Sequence, residues 1–143
     1  MNSTGKVIGI VSNLVTIQTD GPVAENELCY VYLGDTGLLA EVIKVNGDKA
    51  FVQVFESTRG LKNGDRASFL GRMNEAELGP GLLSSIYDGL ENNLATMEDI
   101  FLRRGERTEP LDRNRLWEFK PLAKAGDKVV AADWLGEVME GWL

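Results

Sequence analysis

The first seventy residues alternate apolar and polar positions in short β-branched runs separated by turn formers. In "KVIGIVSNLVTIQTD" (6–20), Ser12-Asn13 divides Val7, Ile8 and Ile10 from Leu14, Val15 and Ile17, which predicts two strands joined by a turn. "ELCYVYL" (27–33) and "GLLAEVIKV" (37–45) follow as further strands. The segment "VIKVNGDKAFVQVFE" (42–56) predicts a hairpin at Asn46-Gly47, because both residues tolerate positive φ. Val42, Val45, Phe51, Val52, Val54 and Phe55 flank that turn. "GLKNGDRASFLG" (60–71) adds a turn at Asn63-Gly64 and a last short strand. About six short strands at close intervals predict a small closed barrel, which also removes exposed strand edges.

After Gly71 the period changes. In "LGPGLLSSIYDGLENNLATMEDIFLRRG" (78–105), Leu82, Leu83, Ile86, Leu90, Leu94, Met97, Ile100 and Phe101 recur at helical spacing. Gly89 and Asn92-Asn93 divide this into two short expected helices, with Arg103, Arg104 and Gly105 as the stop. From Pro110 strands return: "RLWEFKPLA" (115–123), then a turn at Gly126-Asp127 and a strand within "KAGDKVVAADWLGEV" (124–138). The sequence stops at "MEGWL" with Trp142 and Leu143 unfollowed by polar residues, which suggests a cut inside a domain. The expected fold class is mainly β: an N-terminal barrel over 1–71, a helical connector over 72–109, and a partial β-rich, hammerhead-like subdomain over 110–143.

Composition narrows the chemistry. The 143 residues carry 43% hydrophobic side chains, enough for a core, and a formal net charge of −7. That acidity argues against sequence-independent nucleic-acid binding and against docking on an anionic membrane. No apolar run approaches the roughly 20 residues that span a bilayer, and no signal-peptide pattern opens the chain, so a soluble, cytoplasmic protein is expected. There is no histidine, and Cys29 is the single cysteine. A Cys/His zinc site, an internal disulfide and a His-based nucleophilic triad are therefore excluded. Cys29 lies in an apolar run and is expected to be a buried small hydrophobe.

Four features invite a functional reading. "ELGPGLLSSIYDGL" (77–90) places a Gly-rich turn before an expected helix, a common phosphate site. A phosphate-binding loop needs G-x-x-x-x-G-K-[ST], which is missing here, and Pro80 removes one amide that a phosphate would use. Asp88, Glu91, Glu98 and Asp99 sit among polar neighbours and are expected to form a solvated helix face, not an acid/base pair with a raised pKa. The turn-plus-strand pattern of "KAGDKVVAADWLGEV" is similar to biotinyl- and lipoyl-type hammerhead folds. No Met-Lys-Met tip precedes the strand, however, and Asp127-Lys128-Val129 falls inside the turn. Trp117, Phe119, Trp134 and Trp142 cluster near the end as core or partner contacts. No catalytic, nucleotide-binding or metal residue is assigned. A stand-alone protein-binding module built on a small barrel, without enzymatic activity, is the alternative to any larger assembly.

Taken together, "GKVIGIVSNLVTIQTDGPVAENELCYV", "GLLAEVIKVNGDKAFVQVFESTRGLKNGD", "ELGPGLLSSIYDGL" and "RGERTEPLDRNRLWEFKPLAKAGDKVVAADWLGEV" resemble the catalytic A (alpha) subunit family of V-type and A-type rotary ATPases. The resemblance implies a crown barrel to about Gly71, then the edge of a nucleotide-binding domain, then the start of the family's insertion known as the bulge. It implies B subunits in a hexameric ring and a peripheral stalk as partners, and a cytoplasmic location at the membrane surface. It also implies ATP and Mg in the parent enzyme, which couples ATP hydrolysis or synthesis to proton or sodium transport. "GLENNLATMEDIFLRRG" departs from the family's usual continuation, in which Gln-Arg-Pro-Leu is common. The family's catalytic residues lie beyond position 143, so none is carried over and no cofactor is expected in this chain. Gly79, Pro80 and Gly81 are expected to form the bend between the barrel and the next domain. An incomplete second domain exposing Leu82, Leu83 and Ile86 would favour self-association.

Overall fold

A computed structural model describes residues 3–83, 85–95, 104–105 and 107–141. The chain divides into two compact units, one of residues 1–75 and 97–107, the other of residues 76–96 and 108–143.

The first unit is built on six strands: β1 (Thr4–Val11), β2 (Leu14–Thr19), β3 (Glu27–Leu33), β4 (Thr36–Asn46), β5 (Lys49–Val54) and β6 (Arg66–Met73). They form a closed antiparallel barrel in the order β1-β2-β5-β4-β3-β6. The expected turns are where they should be, with Ser12 at φ 58°, Gly47 at φ 62° and Gly64 at φ 96°. Each takes the left-handed conformation that a tight reversal requires.

Strict alternation would send every second residue inward, yet two strands break it usefully. A register shift between Val7 and Gly9 changes the phase of β1. Val7 and Ile10, three apart, therefore both face the core, while Ile8 is exposed. A second shift between Val42 and Lys44 does the same in β4, bringing Val42 and Val45 inward and leaving Ile43 outside. Val15, Ile17, Val31, Leu38, Val52, Val54 and Phe69 complete the core. Cys29 is fully buried there as a free thiol.

Among the described residues of this unit, one carboxylate is buried. Glu27, 7% exposed, accepts hydrogen bonds from the Gly71 amide at 2.6 Å and the Ala24 amide at 3.0 Å. It ties the start of β3 to the end of β6, beside a bulge where regular pairing lapses. Glu27→Ala leaves both amides without their acceptor and is expected to cost about 1–3 kcal/mol. Urea unfolding followed by circular dichroism checks this, and an unchanged midpoint would refute it. Residues 104–105 return to the same unit. The Arg104 guanidinium donates to the Arg59 carbonyl at 2.9 Å and the Ser57 hydroxyl at 3.0 Å, and the Gly105 amide donates to Glu56 at 2.8 Å.

The second unit holds a two-stranded antiparallel sheet, β7 (Phe119–Pro121) with β8 (Gly136–Val138). The turn at Gly126-Asp127 forms, with Gly126 at φ 99°. The strand after it begins only at Gly136, because Val130 to Asp133 turns again. The helical connector is corrected: among the described residues 82–95 there is no helix. Side chains take the amides that a helix would use. Asp88 Oδ1 accepts from the amides of Leu90 at 2.9 Å and Asn92 at 2.8 Å. Glu91 adopts φ 64°, and Tyr87 bridges back to Asn93. Leu83 and Ile86, expected on an apolar helix face, are 69% and 72% exposed. Met97, Glu98, Asp99, Ile100, Phe101 and Arg103 lie outside the described residues.

Candidate functional site

The Gly79-Pro80-Gly81 turn lies in the second unit and shows what its amides hold. Gly81 sits at φ 109°, a conformation that suits glycine. The Gly81 amide donates to Glu140 Oε1, and the Leu83 amide donates to the same oxygen at 3.2 Å. Two converging amides are an anion-receiving arrangement, and here the anion is a carboxylate of the chain itself. A Cβ added at Gly79 would meet Leu111 Cδ1 at 2.7 Å, a contact that the end of the leucine side chain can relieve by shifting.

Around this turn, Pro80, Gly81, Ser85, Tyr87, Pro110, Arg115 and Trp117 line a cavity of about 150 Å³. That is below the roughly 300–1,000 Å³ of small-molecule sites. The Tyr87 hydroxyl donates to the Pro110 carbonyl at 2.9 Å, and Arg115 stacks 4.0 Å above the Trp117 ring. Trp117 is half-buried, whereas Phe119 and Trp134 are exposed, Trp134 by 82%. The three described aromatics thus do not form one buried cluster, and Trp142 lies outside the described residues.

Of the four carboxylates expected on a solvated helix face, Asp88 and Glu91 do not form one, and Glu98 and Asp99 lie outside the described residues. Asp88 and Glu91 are half-buried. Asp88 holds the loop amides described above, and Glu91 accepts from the Glu77 amide at 2.7 Å. Glu77 in turn pairs with Arg113. Among the described residues, no group of three or more acidic or cysteine side chains is placed to hold a metal ion. No described helix is long and apolar enough to cross a membrane.

Sequence reasoning missed Glu140, the residue that fills the amide pair. An isolated glutamate 59 residues from Gly81 carries no local signal of that contact.

Residues 7–71, running from within β1 into β6, match the β-barrel domain of the ATP synthase alpha/beta family. Residues 108–143 match the ATP synthase alpha/beta subunit barrel-sandwich domain. The chain belongs to the ATP synthase alpha/beta family. Relatives within it include the V-type ATP synthase alpha chains of Borreliella afzelii, 46% identical, and Borrelia duttonii, 47% identical, each over 99% of this chain. That of Borrelia garinii subsp. bavariensis is 44% identical over the same share. The chain spans about a quarter of the length of these relatives, 25% in each case. Within the family match, the closed barrel accounts for the first matched block and the two-stranded sheet falls in the second.

Proposed function

We propose that this chain serves as the N-terminal assembly portion of the alpha chain of a V-type rotary ATP synthase. The parent enzyme makes or hydrolyses ATP with coupled proton or sodium movement. The observation that carries the reading is the 44–47% identity to V-type ATP synthase alpha chains along 99% of the chain. In this reading the barrel is a crown element beside B subunits. Residues 110–143 begin the bulge, a hammerhead-like subdomain facing the peripheral stalk, with exposed Phe119 and Trp134 as contact residues alongside Trp117 and Trp142. Gly79, Pro80 and Gly81 turn the chain into its second unit. ATP and Mg belong to the parent's nucleotide domain, and the parent sits at the cytoplasmic face of the membrane. Glu140 already occupies the amide pair that most resembles a phosphate cradle, in keeping with a structural role for that turn.

Co-expression with the B chain of the same organism tests the assembly role. A complex of defined stoichiometry is expected by native mass spectrometry, and two folded chains that never associate would overturn it. Titration calorimetry with Mg-ATP is expected to show no binding by these 143 residues, and a micromolar, magnesium-dependent affinity would defeat that part of the reading. Alone, the chain is expected to self-associate through the surface of Leu83 and Ile86, seen as concentration-dependent sedimentation.

A further inference from the structure

The outer wall of the barrel carries a cationic groove of about 460 Å³, lined by residues of β1, β2, β3 and β6. Lys6 of β1 stands directly opposite Arg66 of β6, and Gln18 of β2 faces Lys6 from the other side. Lys6 and Arg66 are both exposed. Like charges directly opposite on adjacent strands destabilise a sheet. The pairing is notable in a chain whose net charge is −7, where acidic residues outnumber basic ones.

No ion pair among the described residues relieves this repulsion. The one carboxylate lining the groove, Asp20, stands two positions beyond Gln18, where it accepts from the Thr4 amide at 2.7 Å and from the Thr4 hydroxyl. These bonds, the hydroxyl's first, hold Asp20 below the usual carboxylate range. Among the described residues neither Lys6 nor Arg66 has an ion-pair partner. Arg66 is nonetheless fixed in place. Its guanidinium lies 4.1 Å from the centre of the Tyr32 ring, and the Tyr32 hydroxyl is 3.2 Å from that of Ser68. A stacked guanidinium keeps its edge N–H groups free for a carboxylate and loses little entropy on binding one.

We propose that this groove docks an acidic segment of a partner protein, with Arg66 and Lys6 receiving its carboxylates. A peptide fits better than a small anion because the donors run in a row across four strands, Tyr32 to Arg66 to Lys6 to Gln18, with the fixed charge of Asp20 at one side. That layout gives an extended ligand both an attractive stretch and a repulsive boundary, which sets its register.

The test uses the full chain, isotope-labelled, titrated with an octaglutamate peptide at low salt and followed by amide NMR shifts. Saturable shifts confined to Lys6, Gln18, Tyr32, Arg66 and Ser68 are expected. Binding should weaken at least tenfold in Lys6→Glu and in Arg66→Glu, and much less in Arg66→Lys. Inorganic phosphate is the second arm and is expected to compete only at far higher concentration. Phosphate binding as tight as the peptide's would overturn the proposal in favour of a simple anion site. Shifts spread over the surface, or unaltered affinity in Lys6→Glu, would overturn it as well. The same residues shifting with protein concentration alone would mean that a second copy fills the groove, which also refutes it. Lys6→Glu keeps the experiment decisive if Arg66→Glu disturbs the stack and the fold.

Discussion

Replacing Phe69 with alanine is expected to destabilise the barrel by about 3–5 kcal/mol. Among the described residues Phe69 is the largest fully buried side chain, at 0% exposure, and it stands on β6, the strand that closes the barrel. It pairs with Cys29 on β3, and its amide donates to the Ser3 carbonyl at 2.9 Å. Phe69 belongs to one buried cluster with Val15, Ile17, Val31, Leu38, Val52 and Val54, on strands that are paired on both sides in the closed barrel. Such a wall collapses poorly into a void, so the cavity term is added to the lost transfer energy. Against a domain stability of roughly 5–15 kcal/mol, the loss is a large share of the whole. Urea denaturation with tryptophan-independent detection, by far-ultraviolet circular dichroism, measures it. A loss below about 1 kcal/mol would show that the ring is not the centre of the core.

The second large effect depends on pH. Burial pushes the Cys29 thiol from 9.0 up to about 12, and the nearby Glu27 charge adds to the shift. Below pH 9 the thiol is protonated in both states and its contribution to stability is complete. Between 9 and about 12 the unfolded chain releases the proton while the folded chain keeps it. The unfolded state then binds fewer protons, so stability falls as pH rises, by about 1.4 kcal/mol per pH unit. Across the full window the loss is about 4 kcal/mol. The readout is the difference in slope between the native chain and Cys29→Ala. The native chain should lose stability more steeply above pH 9, whatever offset the missing sulfur introduces at neutral pH. Parallel slopes would disprove the linkage. The same burial is expected to keep Cys29 unreactive towards thiol reagents until the protein unfolds.

The barrel was legible in the sequence because its signals are local. Ser12-Asn13, Asn46-Gly47 and Asn63-Gly64 mark reversals by conformational preference alone, and β-branched alternation marks the strands between them. The inward set was less legible. Ile8 reads with Val7 and Ile10 as one apolar side, and only the register shift beside it explains why Ile10 faces inward while Ile8 does not. A bulge depends on the partner strand, which local pattern does not contain. The second unit misled for a related reason. Leu82, Leu83, Ile86, Leu90 and Leu94 have helical spacing, but a short helix needs tertiary packing to offset nucleation. Asp88 and Asn92 offer the backbone a competing set of hydrogen bonds. At the turn, the Gly-rich motif was visible and its occupant Glu140 was not. Likewise Lys6 and Arg66, sixty positions apart in sequence, become neighbours only through barrel closure.

That closure has a consequence for biosynthesis. The first strand finds one of its two partners next door in β2 but must wait for the last strand, β6, before its other edge is paired. At roughly 5–20 residues per second, that wait lasts on the order of several seconds on the ribosome. Throughout it Thr4, Gly5 and Lys6 present an unsatisfied ladder edge to whatever lies nearby. The interval during which the nascent chain is open to chaperones or to wrong strand partners is therefore set by translation through β6, not by any property of the finished barrel.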